Sequence, residues 1–397
     1  MSKDFQQSPT TPLYSRIESD MRAKVASGVW PSGMMIPSRK ALSKDYGVDL
    51  RTVQRAISAL LADGTLTAEN GRGTFVPRGA AGDDTSTAWA QPQSLLTIGI
   101  VIDQSFSPTD PGPRAITQAI HALVRRAAPS ARILTFDTHA ESIEHIAELE
   151  RDALNIVEHQ GLSGAVLWHS GGHHTEAQLR RIVDHKIPIV LMDRHPETFS
   201  CDFVGVDNVY SAREAVEYLV SLGHSRIGVL ATLEPITSIE ERIAGYRTAV
   251  ERAGLPLSDD LEFRLSLTHS LTVSGLDTEL NAIAKTIKTM ADPPTAIFAM
   301  NDFQAHHLIN ALASQGLSVP DDVSVIGFDD VDRYSPRPPF LTTMRQSFEA
   351  MGERAAELLL RRIASAAESI KTPAAHQHIL LPTKLVVRQS CRDLNTP

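Results

Sequence analysis

The chain has 397 residues, of which 42% are apolar and 21% are charged, and this composition excludes a disordered chain. Its length suits two or three domains, and its two cysteines, Cys201 and Cys391, exclude a disulfide framework and a zinc-finger spacing. The polar amino terminus and the lack of a long apolar segment predict a cytoplasmic protein without a membrane span.

The net charge of −9 is unevenly distributed along the chain. Residues 1 to 80 carry 11 Lys and Arg against 7 Asp and Glu, whereas the remainder carries 27 against 40. The positive charge therefore lies at the amino end, where contacts with phosphate would need it. The acidic remainder is not expected to touch nucleic acid.

Residues 36 to 76 predict two helices joined by a tight turn and followed by a hairpin. Ser38 can cap a first helix over residues 39 to 45, and Gly47 permits a sharp turn after it. Asp49 can cap a second helix. This layout is typical of a winged helix-turn-helix that reads DNA.

The second predicted helix is amphipathic. Its apolar residues recur at i, i+3, i+4, i+7 and i+8, and they are Val53, Ala56, Ile57, Leu60 and Leu61. This stripe predicts the buried face, which leaves the first turns free to meet bases and phosphates through Arg51, Thr52, Gln54 and Arg55. Gly64 is expected to end the helix, and the strands around residues 69 to 73 predict a wing.

Residues 11 to 77 resemble the GntR-type DNA-binding domain. The matching segments are residues 12 to 14 (PLY), 28 to 37 (GVWPSGMMIP), 47 to 48 (GV), 52 to 53 (TV) and 71 to 76 (GRGTFV). The resemblance implies a DNA-binding surface made of Ser38, Arg39, Lys40, Asp49, Arg51, Thr52, Gln54, Arg55, Asn70, Gly71 and Arg72.

Three positions depart from that family, because Lys40, Leu50 and Gln54 stand where it usually has arginine. Lysine can meet a phosphate but cannot make the two-pronged contact of arginine with guanine. Arg51 and Arg55, beside two of these positions, are candidates to replace the missing contacts. DNA binding is expected, and the base sequence that is read stays open.

Beyond a predicted flexible linker at residues 79 to 95, short apolar runs alternate with amphipathic helical stretches. One series of runs begins at residues 97, 132, 165 and 189, and a second begins at residues 226, 296 and 323. Strands that are apolar on both faces and separated by helices predict parallel sheets covered on both sides. Two series predict two α/β lobes, and ligands of such sheets bind beyond the carboxyl ends of the strands.

Polar residues follow several of these strands and could surround a polyol or another small polar molecule. They are Asp103, His169, Asp193, Arg194, Asn301, Asp302, Asp329 and Asp330. Each Asp or Asn could instead cap the helix that follows its strand. Arg194 has no such alternative, which favours a binding role for it.

Residues 96 to 392 resemble the effector domain of LacI/GalR-type regulators, which is similar to periplasmic sugar-binding proteins. The resemblance rests on segments that include residues 188 to 194 (PIVLMDR), 203 to 208 (FVGVDN) and 294 to 302 (PTAIFAMND). It implies that Arg194 and Asp302 hydrogen-bond ligand hydroxyls from opposite lobes and that Arg242 adds a contact from the second lobe. It also implies that the pocket is lined by Asp103, Ser105, Phe106, His169 and Asp330.

The fold class expected is α/β, with an N-terminal winged helix-turn-helix and a two-lobed, periplasmic-binding-protein-like domain containing parallel sheets. The expected domains are residues 10 to 78 for DNA binding, 79 to 95 for the linker, and 96 to 393 for effector binding and dimerisation. Crossovers between the lobes are expected near residues 207, 329 and 345. The combination resembles the arabinose-repressor group.

These features predict a homodimeric transcription regulator, a repressor that a sugar or related metabolite releases from operator DNA. No cofactor or metal is expected, since the adjacent pairs His173-His174 and His306-His307 lack a suitably spaced third ligand. One alternative is an enzyme on an α/β scaffold acting on a sugar or nucleoside, although no nucleophile elbow, phosphate loop or acid–base pair is identifiable. The other is a transport-type binding protein, which the DNA-binding pattern disfavours.

Overall fold

The computed structural model describes residues 13–26, 29–31, 33–62, 65–69, 73–77, 96–104, 111–234, 236–266, 272–334, 338–367 and 375–396. The chain divides into two compact units, one over Met1–Gln91 and one over Pro92–Pro397. The predicted linker lies outside the described residues.

The described residues of the first unit form three helices and a two-stranded antiparallel hairpin. The helices are α1 (Leu13–Ala26), α2 (Arg39–Tyr46) and α3 (Leu50–Ala62), and the strands are β1 (Thr67–Glu69) and β2 (Gly73–Phe75). The predicted stripe of α3 is confirmed, because Val53, Ala56, Ile57 and Leu60 are buried in one cluster with Ile17, Met21, Trp30 and Leu42. This layout is that of a winged helix-turn-helix.

Local hydrogen bonds explain where the first unit begins and ends its helices. The Ser38 hydroxyl accepts a hydrogen bond from the Ala41 N–H at 3.2 Å, which caps α2 as predicted. Gly47 ends α2 with φ of 65°, a left-handed conformation that glycine adopts without strain. Asp49 caps α3 by accepting a hydrogen bond from the Thr52 N–H at 2.8 Å. The predicted helix end at Gly64 lies outside the described residues.

In the part of the second unit that the structure describes, two six-stranded sheets are each covered by helices on both faces. The sheet of the first lobe has the order β13-β7-β6-β5-β3-β4 and is parallel throughout. Its strands are β3 (Thr97–Ile102), β4 (Arg132–Asp137), β5 (Gly164–Trp168), β6 (Ile189–Met192), β7 (Asp202–Val206) and β13 (His378–Leu381).

The sheet of the second lobe has the order β14-β12-β11-β10-β8-β9, and only the β12–β14 pair is antiparallel. Its strands are β8 (Ile227–Thr232), β9 (Glu262–Leu265), β10 (Ala296–Ala299), β11 (Ser324–Asp329), β12 (Thr342–Arg345) and β14 (Lys384–Val386).

The helices of the second unit pack on the sheets because successive strand residues point to opposite faces. On the first lobe, Ile98 and Ile100 face α4 (Gly112–Ala127) and α11 (Phe348–Ala367), whereas Val101 faces α5 (Ile143–His159) and α6 (His173–Asp184). On the second lobe, α7 (Asn208–Ser221) and α8 (Thr237–Arg252) cover one face, and α9 (Val273–Thr289) and α10 (Asp302–Ser314) cover the other.

Along its described segments the chain passes between the two lobes at three places. It leaves the first sheet after Val206, returns after Arg345 to build α11, and passes over again between Leu381 and Lys384. The expected crossover near residue 329 is wrong, because β11 and β12 pair in the same sheet, with Asp329 opposite Arg345. The third crossing instead joins two short strands close to the carboxyl end.

No helix among the described residues is long and apolar enough to cross a lipid bilayer.

Candidate functional site

The exposed face of α3 carries the side chains that the sequence predicts to contact DNA. Arg51, Gln54 and Arg55 are exposed, whereas Thr52 is half-buried. These residues precede or alternate with the buried stripe, so the helix presents one apolar face to the core and one polar face outward. Arg39 and Lys40 are exposed at the start of α2.

Two of the predicted DNA-binding residues also hold the helices in place. Ser38 caps α2, and both carboxylate oxygens of Asp49 accept hydrogen bonds from Thr52, from its N–H at 2.8 Å and its hydroxyl at 3.1 Å. The hydrogen bond from the Thr52 N–H and that from its hydroxyl hold the pKa of Asp49 below its ordinary value. Asp49 therefore stays ionised at the amino end of α3, where the helix dipole favours a negative charge.

A shallow depression of about 650 Å³ lies beside the start of α3. Its floor includes Tyr14 of α1, and the Arg55 guanidinium lies over the Tyr14 ring at 4.1 Å from its centroid. Such stacking fixes a guanidinium plane while leaving its edge available for hydrogen bonds. The depression is lined by Tyr14, Asp49, Leu50, Arg51, Thr52 and Arg55.

The hairpin has the position of a wing, since β1 and β2 pair from Thr67 opposite Phe75 to Glu69 opposite Gly73. A further bridge joins Met35 to Phe75 and ties the hairpin to the segment before α2. The predicted wing-tip residues Asn70, Gly71 and Arg72 lie outside the described residues.

The predicted effector residues gather where the parallel strands end. Asp103 follows β3, His169 follows β5, Arg194 lies two residues after β6, and Asp302 begins the helix after β10. Because the strands that precede these residues run parallel to their neighbours, each lobe brings these ends to one edge. Ser105 and Phe106 lie outside the described residues.

Arg194 and Arg242 lie on either side of Asp193, at a place where the two lobes meet. Arg194 Nε is 3.5 Å from Asp193 Oδ2, and Arg242 of α8 reaches within 4.0 Å of Asp193 Oδ1. Asp193 has φ of 63°, an uncommon conformation for a residue other than glycine. The arrangement joins a turn of the first lobe to a helix of the second.

The two arginines differ in how far the protein satisfies them. Arg242 is buried; its Nε donates to Asn208 Oδ1 at 2.9 Å, its Nη1 donates to the Met300 carbonyl, and its guanidinium lies 3.7 Å from the Phe328 ring centroid. Arg194 is 30% exposed, and its buried Nε makes no hydrogen bond within the described part of the chain. A buried donor without a partner costs free energy. Arg194 is therefore the residue of this cluster best prepared to bind a ligand.

His169 contacts a buried carboxylate that the sequence did not reveal. His169 Nδ1 lies 2.8 Å from Glu150 Oε1, and Glu150 also accepts hydrogen bonds from the Ser170 and Gly171 N–H groups and the Thr175 hydroxyl. Burial raises the pKa of Glu150, but the His169 charge and these hydrogen bonds outweigh it and hold the pKa below its ordinary value. The group fixes the loop after β5 and the orientation of His169.

Asp103 also has a neighbour, since its Oδ1 lies 3.1 Å from His139 Nδ1. Asp103 and His169 stay predicted lining residues.

Asp302 is fully buried, and both its oxygens are engaged. Oδ1 accepts a hydrogen bond from the Thr343 hydroxyl at 2.7 Å, and Oδ2 accepts one from the Val331 N–H at 2.9 Å. A side-chain carbon at Gly327 would clash with Oδ1, so the glycine makes room for this carboxylate. Each oxygen has a second lone pair, and the contact of Asp302 with an effector stays a prediction.

Burial raises the pKa of Asp302 to about 7, despite the opposing hydrogen bonds from Thr343 and Val331. Between pH about 4 and 7 the unfolded chain releases this proton while the folded chain keeps it, so the free energy of unfolding falls as the pH rises. We expect Asp302→Asn, which cannot titrate, to lack this component. Melting temperatures of both proteins from pH 4.5 to 8 check it, and equal pH dependence would contradict the assignment.

Asp330 has a structural role that the sequence did not predict. Its carboxylate is fully buried, with Oδ2 accepting from Arg345 Nε at 2.5 Å and Oδ1 accepting from Arg388 Nη2 at 2.6 Å. This triad joins the end of β11 to β12 and to the segment after β14. Both oxygens are held by charged donors, and the contact of Asp330 with an effector stays a prediction.

A second contact between the lobes was not predicted from sequence. His195 Nε2 of the first lobe lies 3.6 Å from Glu241 Oε1 of α8, and Glu241 Oε2 accepts a hydrogen bond from Asn208 at 2.8 Å. Interaction with Glu241 raises the pKa of His195, with burial opposing it. Glu241 and Arg242 are adjacent in α8, so one helical turn meets the chain at residues 193 and 195. No local sequence pattern signals such a pair.

Comparison with known proteins agrees with this architecture. A family model described as bacterial regulatory proteins of the gntR family matches residues 13–76, and one described as a periplasmic binding protein-like domain matches residues 216–391. The Enterococcus faecium LacI family transcriptional regulator with bound ribose has a TM-score of 0.58 and 25% identity, covering 75% of this chain and 99% of that one.

Three relatives are transcription regulators. The chain is 34% identical to the HTH-type transcriptional regulator DegA of Bacillus subtilis over 56% of its length and 62% of DegA's. It is 30% identical to the HTH-type transcriptional repressor PurR of Vibrio campbellii over 63% of its length and 70% of PurR's. The arabinose metabolism transcriptional repressor of Geobacillus stearothermophilus is 24% identical over 97% of this chain and 99% of its own. The chain therefore belongs to the HTH-type transcription regulators, and it joins a GntR-type DNA-binding domain to a LacI/GalR-type, periplasmic-binding-protein-like effector domain.

Proposed function

We propose that this protein is a homodimeric repressor that releases its operator when a monosaccharide or a closely related polyol binds between the two lobes. The observation that carries the effector site is Arg194, a partly exposed cation whose buried Nε lies 3.5 Å from Asp193 Oδ2 and makes no hydrogen bond among the described residues. The site acts by binding, and we assign it no catalytic step. We place the protein in the cytoplasm, because its operator DNA is there.

The chemistry of the Arg194 site favours a ligand rich in hydroxyl groups. A guanidinium provides five N–H donors and a carboxylate provides acceptors, and a sugar hydroxyl can use both at once. Arg194, Asp193 and Arg242 supply such a mixed set at one junction of the lobes. One relative regulates arabinose metabolism by name, and one structural neighbour holds ribose, which supports a sugar as the class of effector.

The contacts between the lobes provide a route from effector binding to a change in shape. The lobes touch through Asp193 and Arg242, through His195 and Glu241, and through Glu349 of α11, which accepts hydrogen bonds at 2.8 and 2.7 Å from Arg333 and Tyr334. A ligand held by both sides stabilises one lobe arrangement over another. Shifting the ratio of two lobe arrangements from 1:99 to 99:1 requires the ligand to bind one arrangement about 5.5 kcal/mol more tightly than the other. Several charge-assisted hydrogen bonds can supply this difference.

A panel of monosaccharides tests the effector assignment directly. Thermal unfolding of the full chain is measured with pentoses, hexoses, nucleosides and their phosphates at millimolar concentration. A sugar that binds the folded chain stabilises it by RT ln(1 + [L]/Kd) and therefore raises the melting temperature with increasing concentration. A rise with sugars that is absent in Arg194→Ala supports the proposal. Stabilisation by phosphates alone, or equal stabilisation of the variant, would overturn it.

The homodimer places two DNA-binding units on a two-fold operator. Two helices of the α3 type can enter successive major grooves only when their spacing matches the helical repeat of DNA. Effector-driven movement of the lobes would change that spacing and lower operator affinity. Sedimentation of the full chain tests the assembly, and a monomer at micromolar concentration would contradict it.

Operator binding is expected to weaken steeply with salt. Arg39, Lys40, Arg51 and Arg55 are exposed on α2 and α3 of each DNA-binding unit. If these four cations each neutralise one phosphate, the logarithm of the association constant falls against the logarithm of the salt concentration with a slope of about −4 per unit. Fluorescence anisotropy with a labelled operator between 50 and 300 mM salt, roughly the range where such slopes are measured, checks this. A flat response would contradict phosphate-led binding.

A further inference from the structure

An apolar side chain lies among the polar residues at the start of α3. Leu50 is the first residue of this helix and is 52% exposed. It lines the same depression as Arg51, Arg55 and Tyr14. Asp49 on its other side is fixed by its two hydrogen bonds with Thr52. Leu50 therefore occupies the surface that the family assignment directs toward DNA.

Packing in the core of the first unit does not account for the apolar side chain at position 50. That core is filled by Val53, Ala56, Ile57 and Leu60 from the buried stripe of α3, each at most 2% exposed. Leu50 is not part of this cluster. Single exposed leucines are common on protein surfaces, so exposure alone indicates nothing. What distinguishes Leu50 is its position in the first turn of a recognition helix, beside two exposed arginines.

The major groove offers one apolar feature on the edges of the unmodified bases, the C5-methyl group of thymine. The donors and acceptors that guanine, adenine and cytosine present there cannot be satisfied by a leucine side chain. We propose that Leu50 is a specificity-determining residue that packs against a thymine methyl group in the operator half-site. The proposal rests on the DNA-binding function and names one base that it reads.

A defined chemical change in the DNA tests this contact. The half-site is first obtained by selecting the full-length protein against a random duplex library. Each thymine of the selected site is then replaced by deoxyuridine, which removes the methyl group and keeps the base pair. Removing one buried methyl group is expected to weaken binding by the wild-type protein about fourfold at one position per half-site. At that position Leu50→Ala is expected to bind the two duplexes equally.

A substitution with the opposite chemistry provides a second measurement. Leu50→Arg introduces a side chain that makes paired hydrogen bonds to guanine, so selection with this variant is expected to enrich G at the position where the wild-type protein enriches T. Leu257→Ala, which truncates an exposed leucine of the second unit, is the matched control and is expected to leave selection unchanged. Circular dichroism of each variant verifies folding.

Two results would overturn the proposal. One is equal affinity of the wild-type protein for the thymine and deoxyuridine duplexes at every position, and the other is a thymine preference that survives Leu50→Ala. If the wild-type protein bound no duplex at low salt, the DNA-binding function itself would be contradicted. This outcome differs from failure of the Leu50 proposal, because the selection would then yield no site. Weaker binding of Leu50→Ala that is equal for all duplexes would assign Leu50 to packing and also overturn the proposal.

Discussion

Arg194→Ala is expected to abolish the effector response of this regulator while operator affinity stays at the wild-type value. Arg194 is the cluster residue whose donors the protein leaves least satisfied, because its buried Nε makes no hydrogen bond among the described residues and only faces Asp193 Oδ2 at 3.5 Å. Hydrogen bonds from a charged donor contribute about 1.5 to 3 kcal/mol each, so losing two weakens effector binding about 100-fold or more. Calorimetric titration with the sugar selected by thermal shift measures this change.

Two further variants isolate the cause of the Arg194→Ala effect. Arg194→Lys keeps the positive charge but loses the planar arrangement of donors. Its affinity for the effector is expected to lie between that of the wild type and that of Arg194→Ala. Arg181→Ala removes an exposed arginine of the same lobe, whose partner is Glu158 at 3.4 Å, and is expected to bind like the wild type. Normal effector response in Arg194→Ala would show that the pocket lies elsewhere.

Asp330→Asn is expected to destabilise the effector domain by about 3 kcal/mol, without direct loss of DNA contacts. Asparagine tolerates the positive φ of 64° at this position, so the substitution removes the charge and keeps the backbone. It leaves the guanidiniums of Arg345 and Arg388 beside a neutral amide that cannot pair with both. Breaking a buried ion pair by removing one partner costs about 3 to 5 kcal/mol, and the partial exposure of Arg345 places the effect at the lower end.

Calorimetric unfolding of the full chain measures the Asp330→Asn effect. Asp292→Asn is the control: Asp292 is 81% exposed, faces Arg226 at 3.3 Å, and is expected to change stability by less than about 0.5 kcal/mol. If Asp330→Asn melted like the control, the buried triad would not be a structural element.

Local patterns predicted the elements of this fold well. The spacing of Val53, Ala56, Ile57 and Leu60 predicted the buried face of α3, because the periodicity of a helix can be recognised within one short segment of sequence. The caps at Ser38 and Asp49 were predicted for the same reason, since a cap and its target lie within three residues. The parallel strands were recognisable from apolar runs bounded by polar residues.

Pairings between distant segments were the part that the sequence did not provide. The misplaced crossover near 329 arose because no local pattern states that β11 and β12 share a sheet. The structural role of Asp330 was missed because its partners Arg345 and Arg388 lie 15 and 58 residues away. Glu150 was missed because its burial against His169 depends on the packing of α5 on the first sheet.

The linkage between the two units is tested most directly by titrating the protein–operator complex with its sugar. Anisotropy of a labelled operator is measured with full-length protein at fixed salt, across effector concentrations that span its dissociation constant. We predict that saturating sugar lowers operator affinity at least tenfold and, by reciprocity, that saturating operator lowers sugar affinity by the same factor. Operator affinity that does not change while the sugar is demonstrably bound would contradict the account.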